Sequence, residues 1–173
     1  MAQQPSRVDL ARLSLSYGEA ASLDVPVRIE GVTLGGQDYL PRSSPVEARL
    51  DVSRTSSAYV LRLRFSIVLE GPCQRCLEPA ELAVEVDARE VDQAGATDEE
   101  LQSPYVEAEE LDASGWAHDA IALALPTRIL CREECAGLCT VCGESLNDAD
   151  PADHEHESGT DPRWAKLDEL KLD

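Results

Sequence analysis

Apolar and polar residues alternate with a period of two along four stretches of the chain, the signature of strands with one buried face. Val25, Val27 and Ile29 share a face in DVPVRIEG, and Val46, Ala48, Leu50 and Val52 do so in PVEARLDV. The longest run is AYVLRLRFSIVLEG, where Tyr59, Leu61, Leu63, Phe65, Ile67 and Leu69 lie on one side and Arg62, Arg64 and Ser66 on the other. ELAVEVDARE continues the pattern, with Leu82, Val84, Val86 and Ala88 inward and Glu81, Glu85 and Asp87 outward. GPCQRCLEPA between these two runs reads as a hairpin connection carrying a CxxC, and Gly35-Gly36 is a turn signal. Residues 92–110 are acidic and break the periodicity, which predicts a solvated loop. A helix is expected from about 114 to 125, with Ser114 as N-cap, Asp119 in its early turns, Ala117, Ala120, Ile121 and Ala124 as apolar positions, and Pro126 as its stop. A Cys-rich segment follows at 131–147, then a polar link at 148–160. A last short helix has Asp161 as N-cap, Pro162 at its first position and Trp164, Leu167 and Leu170 as an apolar stripe.

Charge changes this picture. The 173 residues hold 34 acidic and 15 basic side chains, a net charge of -19. The imbalance is confined to one part: residues 1–76 are close to neutral, with 9 basic and 8 acidic residues, whereas residues 77–173 hold 6 basic and 26 acidic ones. Such a surface repels phosphate backbones, so sequence-blind nucleic-acid binding is disfavoured and a basic protein partner fits better. The alternative is that the acidity serves solubility alone. The first 18 residues contain no basic cluster followed by an apolar run, and the longest apolar stretch, residues 120–126, is far too short to span a bilayer. These features lead us to expect a cytoplasmic protein, in which cysteines act as metal ligands or redox groups rather than in disulfides.

Six cysteines stand at 73, 76, 131, 135, 139 and 142, followed by His154 and His156 as HxH. A CxxC turn brings two thiolates to one ion while backbone amides point at the sulfurs, and Gly143 after Cys142 suits the tight turn of such a knuckle. Zinc takes four tetrahedral thiolate or imidazole ligands, and eight candidates make two sets of four. The preferred grouping joins Cys73 and Cys76 with Cys131 and Cys135, and Cys139 and Cys142 with His154 and His156, the latter spanning an 11-residue insert. The rival grouping takes Cys131, Cys135, Cys139 and Cys142 as one local site and leaves the hairpin pair free. His118 has no Cys or His neighbour in its predicted helix and reads as a surface or boundary histidine.

A redox CxxC normally opens a helix after a strand, where the helix end lowers one thiol pKa. Cys73–Cys76 is instead followed by Leu77, Glu78, Pro79 and a further strand. The chain contains no HExxH, no nucleophile elbow and no phosphate-cradling glycine loop. Ligand sets filled by protein side chains belong to structural rather than catalytic zinc. The expectation is therefore an α+β protein that is not an enzyme. It has an antiparallel sheet or partly closed barrel packed by one helix, and a C-terminal zinc-stapled appendage. It divides into a strand-rich core at 1–126 and a Cys/His tail at 127–173.

LEGPCQRCLEP, the helix ending in ALALP, LCREECAGLCTVCGESLN and DPRWAKLDEL together resemble the YceD family of large-ribosomal-RNA accumulation proteins, over roughly residues 59–170. In many members of that family a CxC stands where this chain has His154 and His156, which implies a ligand role for both. Others lack the GLCxxCG module but keep the hairpin CxxC, which implies two separable sites. The resemblance implies a non-enzymatic part in making or protecting large-subunit ribosomal RNA. It also implies a basic large-subunit ribosomal protein or a ribosomal RNA precursor as partner, and neither a membrane nor a small-molecule substrate. Direct RNA binding through the zinc module is the alternative, and thiol-redox activity a further one. Arg163 and Trp164 are the expected partner contacts, since Arg and Trp dominate binding hot spots; the other reading of Trp164 is docking of the last helix onto the sheet. Arg62, Arg64 and Arg75 either present a small positive face or pair with nearby carboxylates.

Overall fold

The computed structural model describes residues 6–98 and 101–149 together with His154 and His156. Its elements are β1 (Arg7–Asp9), β2 (Ala20–Val27), β3 (Val32–Leu34), β4 (Gln37–Pro41), β5 (Val46–Arg54), β6 (Tyr59–Pro72), β7 (Pro79–Asp92), β8 (Val106–Glu107), β9 (Glu110–Asp112) and helix α1 (Ala113–Ala124). The molecule is an α+β protein.

The strands expected from period-two alternation are β2, β5, β6 and β7, and they form an antiparallel meander. All six inward residues of β6 named above are buried, as are Val84 and Val86 of β7. Each such side chain contributes about 2 kcal/mol of transfer free energy, which makes the register hard to slip: a shift by one residue would bury Arg62 and Arg64 instead. Those two arginines lie on the outer face and are neutralised across the strands, Arg62 by both oxygens of Asp87 (2.7 and 2.6 Å) and Arg64 by Asp51 (2.6 Å). Of the two arrangements expected, an open sheet and a partly closed barrel, the described strands make open sheets. β2 and β7, at opposite edges, do not pair with each other.

The Gly35-Gly36 turn closes the β3–β4 hairpin with φ of 61° and 78°, values that glycine adopts without steric cost. β4 joins β6 at Leu40↔Glu70 and Pro41↔Leu69. This sets Tyr39, fully buried, against Gly71, where a Cβ would clash with the ring, and lets its hydroxyl donate to the Pro72 carbonyl at 2.8 Å.

Several expectations need correction. Helix α1 is capped by Asp112, whose carboxylate accepts from the Gly115 amide at 3.0 Å. Ser114, the expected cap, lies inside the helix, and its hydroxyl oxygen accepts from the amides of Ser6 and Arg28 instead. Asp119 lies beyond the first turn, where it accepts from the Tyr105 hydroxyl. Ala124 is exposed, and Trp116 anchors the helix, buried and stacked on Tyr105 with ring centroids 6.2 Å apart. The segment 92–110 is not simply a solvated loop. Gln93 bonds the Leu101 carbonyl, Ser103 is buried, and β8 pairs with β9, which pairs in turn with β1. No described helix is long and apolar enough to cross a membrane. The helix expected from Asp161 lies outside the described residues.

Candidate metal centres

The chain folds the hairpin connection after β6 into a knuckle. The Cys73 amide donates to the Glu78 carbonyl (2.7 Å), the Leu77 amide donates back to the Cys73 carbonyl (3.0 Å), and the Arg75 amide points at the Cys73 sulfur (3.4 Å). The same three bonds recur after Cys139. Its amide donates to the Glu144 carbonyl (2.7 Å), Gly143 donates to the Cys139 carbonyl (2.9 Å), and the Val141 amide meets the Cys139 sulfur (3.4 Å). CQRCLE and CTVCGE are two copies of one turn, each with its fifth residue left-handed: Leu77 at φ 63° and Gly143 at φ 78°.

Each knuckle supplies half of a four-donor cluster. Cys73 and Cys76 meet Cys131 and Cys135, and Cys139 and Cys142 meet His154 and His156; within each set all ligand atoms lie within 4.8 Å of one another. In the first, Sγ–Sγ separations are 3.7 Å for Cys73–Cys135 and 3.5 Å for Cys76–Cys131. A tetrahedron of sulfurs about 2.3 Å from a central ion has edges of about 3.8 Å, whereas a disulfide needs about 2.05 Å. In the second, Cys142 Sγ lies 3.7 Å from His154 Nε2, against about 3.6 Å for a sulfur and a nitrogen on one tetrahedral ion. His154 Nδ1 is buried without a hydrogen-bond partner, so that ring is not held by ordinary hydrogen bonding through both nitrogens. The four cysteines of the rival local grouping are divided between the two clusters.

Within each cluster, neighbouring thiols are shifted in opposite directions. Burial raises the Cys73 thiol, but the amides of Cys76, Arg75 and Cys131 together bring it down to about 6. Desolvation and then the neighbouring sulfurs push Cys131 up to about 12; desolvation also raises Cys76, against the Glu78 amide and the Cys131 thiol, which favour its thiolate. In the second cluster the Cys142 and Val141 amides bring Cys139 down to about 6. An amide of Glu144 favours the Cys142 thiolate, but desolvation and the charge of Cys139 outweigh it, and Cys142 is raised. In each cluster one thiol is lowered and a neighbour raised, a split that a bound cation would relieve. Both clusters can hold a metal ion through four protein donors.

The two clusters are joined by the first knuckle. Arg75 Nη1 donates to the Cys135 carbonyl at 2.6 Å, and Glu78 accepts from Ser145 Oγ (3.3 Å) and Asn147 Nδ2 (3.5 Å). Asn147 Oδ1 in turn accepts from the Ala136 amide at 2.9 Å. Sequence reasoning assigned no role to Glu78 or Asn147; the repeat of CxxC-x-Glu was the available signal. Around the first cluster, Gln74 Nε2 donates to the Leu34 carbonyl and its amide to the Ile129 carbonyl, so the β3–β4 hairpin and the segment after α1 both rest on the knuckle. Of the arginines weighed as a positive face, Arg62 and Arg64 pair with carboxylates, and Arg75 bonds a carbonyl. His118 is exposed and pairs with Asp119. Arg163 and Trp164 lie outside the described residues.

The family model described as large ribosomal RNA subunit accumulation protein YceD matches residues 61–171, a span that contains all eight donors. Uncharacterized proteins of Mycobacterium bovis and Mycobacterium tuberculosis are each 33% identical over 171 residues, covering 96% of this chain and 69% of the relative. An uncharacterized protein of Mycobacterium leprae is 29% identical over 132 residues, covering 73% of this chain and 59% of its own length. No solved structure matches the chain.

Proposed function

The chain belongs to the YceD family, and from that premise we propose that it is a non-enzymatic ribosome-biogenesis factor that supports accumulation of large-subunit ribosomal RNA. We infer further that its two clusters hold structural zinc. The family match over both clusters is the observation that carries this reading. The donor chemistry supports zinc: four thiolates in one set, and two thiolates with two imidazoles in the other, at tetrahedral spacing. Four protein donors per ion leave no position for a substrate, which suits a structural ion rather than a catalytic one.

The partner is a basic large-subunit ribosomal protein, or a precursor of the ribosomal RNA itself. Charge favours the protein, since residues 77–173 are strongly acidic and the outer-face arginines of β6 are already paired. Arg163 and Trp164 are the proposed contact residues, and the cytoplasm, which keeps six unpaired thiols reduced, is the proposed compartment. Depletion of the protein is expected to lower large-subunit relative to small-subunit ribosomal RNA; an unchanged ratio removes the reading. Metal analysis tests the zinc assignment separately. The intact protein should carry two equivalents, and Cys73→Ser/Cys76→Ser and His154→Ala/His156→Ala should each lose one.

A further inference from the structure

Among the described residues no strand is added to the outer edge of β7, and helix α1 packs beside it. β7 pairs with β6 throughout, from Tyr59↔Asp92 to Pro72↔Pro79. Between Leu82 and Val91 it makes no main-chain hydrogen bond to any other described element. At about 3.3 Å per residue this leaves roughly 33 Å of open edge. Free edges of this kind are templates for an added strand unless they are covered or blocked.

A groove of about 480 Å³ runs beside it. Six consecutive residues, Glu85 to Glu90, form one wall; Tyr105 and the α1 residues Trp116, Ala120 and Leu123 contribute to the other. Consecutive residues point to opposite faces of a strand, so the groove follows the edge itself rather than one face. Leu123 stands at the rim, 89% exposed. Glu85 and Glu90 have no ion-pair partner among the described residues, Asp87 is held by Arg62, and Arg89 is the one cation on the groove wall.

We propose that this edge and groove receive an extended segment of a partner protein, with basic and apolar residues in alternation, as an added strand. Main-chain bonds to β7 would supply affinity that does not depend on sequence, and the two faces would read the alternation. One set of side chains would pack toward Ala120, Trp116 and Leu123, while the other would lie beside Glu85 on the outer face. Charge selects this occupant. A second copy pairing edge to edge would bring the same stretch, three carboxylates and one guanidinium over Glu85 to Glu90, and so no net positive charge to Glu85 and Glu90. The chain's own residues 161–173 carry four acidic and three basic side chains and bring no net positive charge. The carboxylates along this edge disfavour a phosphate backbone here. The ribosomal setting of such a partner rests on the function proposed above; the edge and groove stand without it.

The test uses the full-length, metal-loaded, ¹⁵N-labelled protein and the capped peptide Lys-Val-Lys-Val-Lys-Val-Lys-Val. Amide shifts are expected to concentrate in Leu82–Val91 and in the last turn of α1. Leu123→Asp and, separately, Glu85→Lys/Glu90→Lys should each weaken binding tenfold or more. These positions are exposed, or half-buried at the rim in the case of Glu90, so the fold should survive both changes. The Glu-Val counterpart and a Lys-Val peptide N-methylated at alternate amides should not bind. The proposal is overturned if millimolar peptide shifts no β7 amide, if the N-methylated peptide binds equally well, or if sedimentation shows a dimer and the β7 amides shift on dilution to monomer. A failed peptide with a ribosomal RNA ratio that still falls on depletion removes the edge proposal alone. Peptide binding with an unchanged ratio removes the ribosomal reading and keeps the edge.

Discussion

Gly143 and Leu77 occupy the same place in two copies of one turn and bear its left-handed backbone differently. A Cβ added at Gly143 meets nothing within 4 Å, so Gly143→Ala costs only the left-handed conformation, about 1 kcal/mol. That corresponds to about fivefold weaker metal binding at the second cluster, read by competition with a chromophoric chelator, with no change at the first. Leu77→Gly removes a similar cost, but glycine's freedom in the unfolded chain returns about 0.5–1 kcal/mol of it, and the net effect should be close to zero. Glu78 gives a second expectation. Its backbone carbonyl serves the first knuckle and its carboxylate serves the second module, so Glu78→Ala should weaken only the second cluster, severalfold, leaving the first at full occupancy. Equal loss at both would show that the carboxylate also supports the first. The preferred pairing of the eight Cys and His residues was legible in the sequence beside one rival, because closely spaced thiols and imidazoles are the residue types that converge as donors. Glu78 and Asn147 were not, because a glutamate in a chain with 34 acidic residues carries no signal until a partner is placed opposite it.

At the scale of elements, legibility followed length. β2, β5, β6 and β7 run from 8 to 14 residues, long enough for alternation to repeat. β1, β8 and β9 have two or three residues each and exist only through their pairing, which no local pattern records. The α1 start was misread by two residues because Asp112 and Ser114 are both good caps, and the choice was made by long-range bonds to Ser6 and Arg28. The β6–β7 ladder carries its own test. The Asp87 carboxyl is held below its ordinary value chiefly by its hydrogen bonds from Arg62. A carboxyl depressed by folding adds stability above its unfolded pKa, near 4, and that stability is lost as pH falls through the lowered folded value. Asp87→Asn should therefore be less stable than the parent at pH 7 in urea unfolding, with the difference shrinking below pH 4. A difference that persists unchanged at pH 2 would assign the effect to packing rather than charge.

At the scale of the whole molecule, the two candidate metal clusters have unequal surroundings, and under the zinc assignment proposed above this sets the order in which they should fail. In the first, Cys73, Cys76 and Cys135 are buried and lie in the same apolar core as Ile129 and Tyr39. Opening it means parting the β6–β7 hairpin from the segment after α1. In the second, Cys142 is exposed and Cys139 partly so, and the donors come from a knuckle and two histidines that the sheet does not enclose. A chelator removes a structural ion by displacing ligands one at a time, so access decides the rate, and the energy released on binding is returned as loss of structure. Metal release to excess EDTA should then be biphasic. The first equivalent should leave quickly while far-UV circular dichroism and the urea midpoint of the sheet stay constant, because β6 and its neighbours keep a core of their own. The second should leave slowly and take the midpoint down with it, since the hairpin connection and residues 129–135 lose their metal link and keep only the Gln74 and Arg75 hydrogen bonds between them. His154→Ala/His156→Ala should abolish the fast phase alone, and Cys73→Ser/Cys76→Ser should abolish the slow one. Release of both ions in a single phase, or a sheet that melts with the first, would mean that the Arg75 and Glu78 bridges bind the clusters into one cooperative unit rather than two.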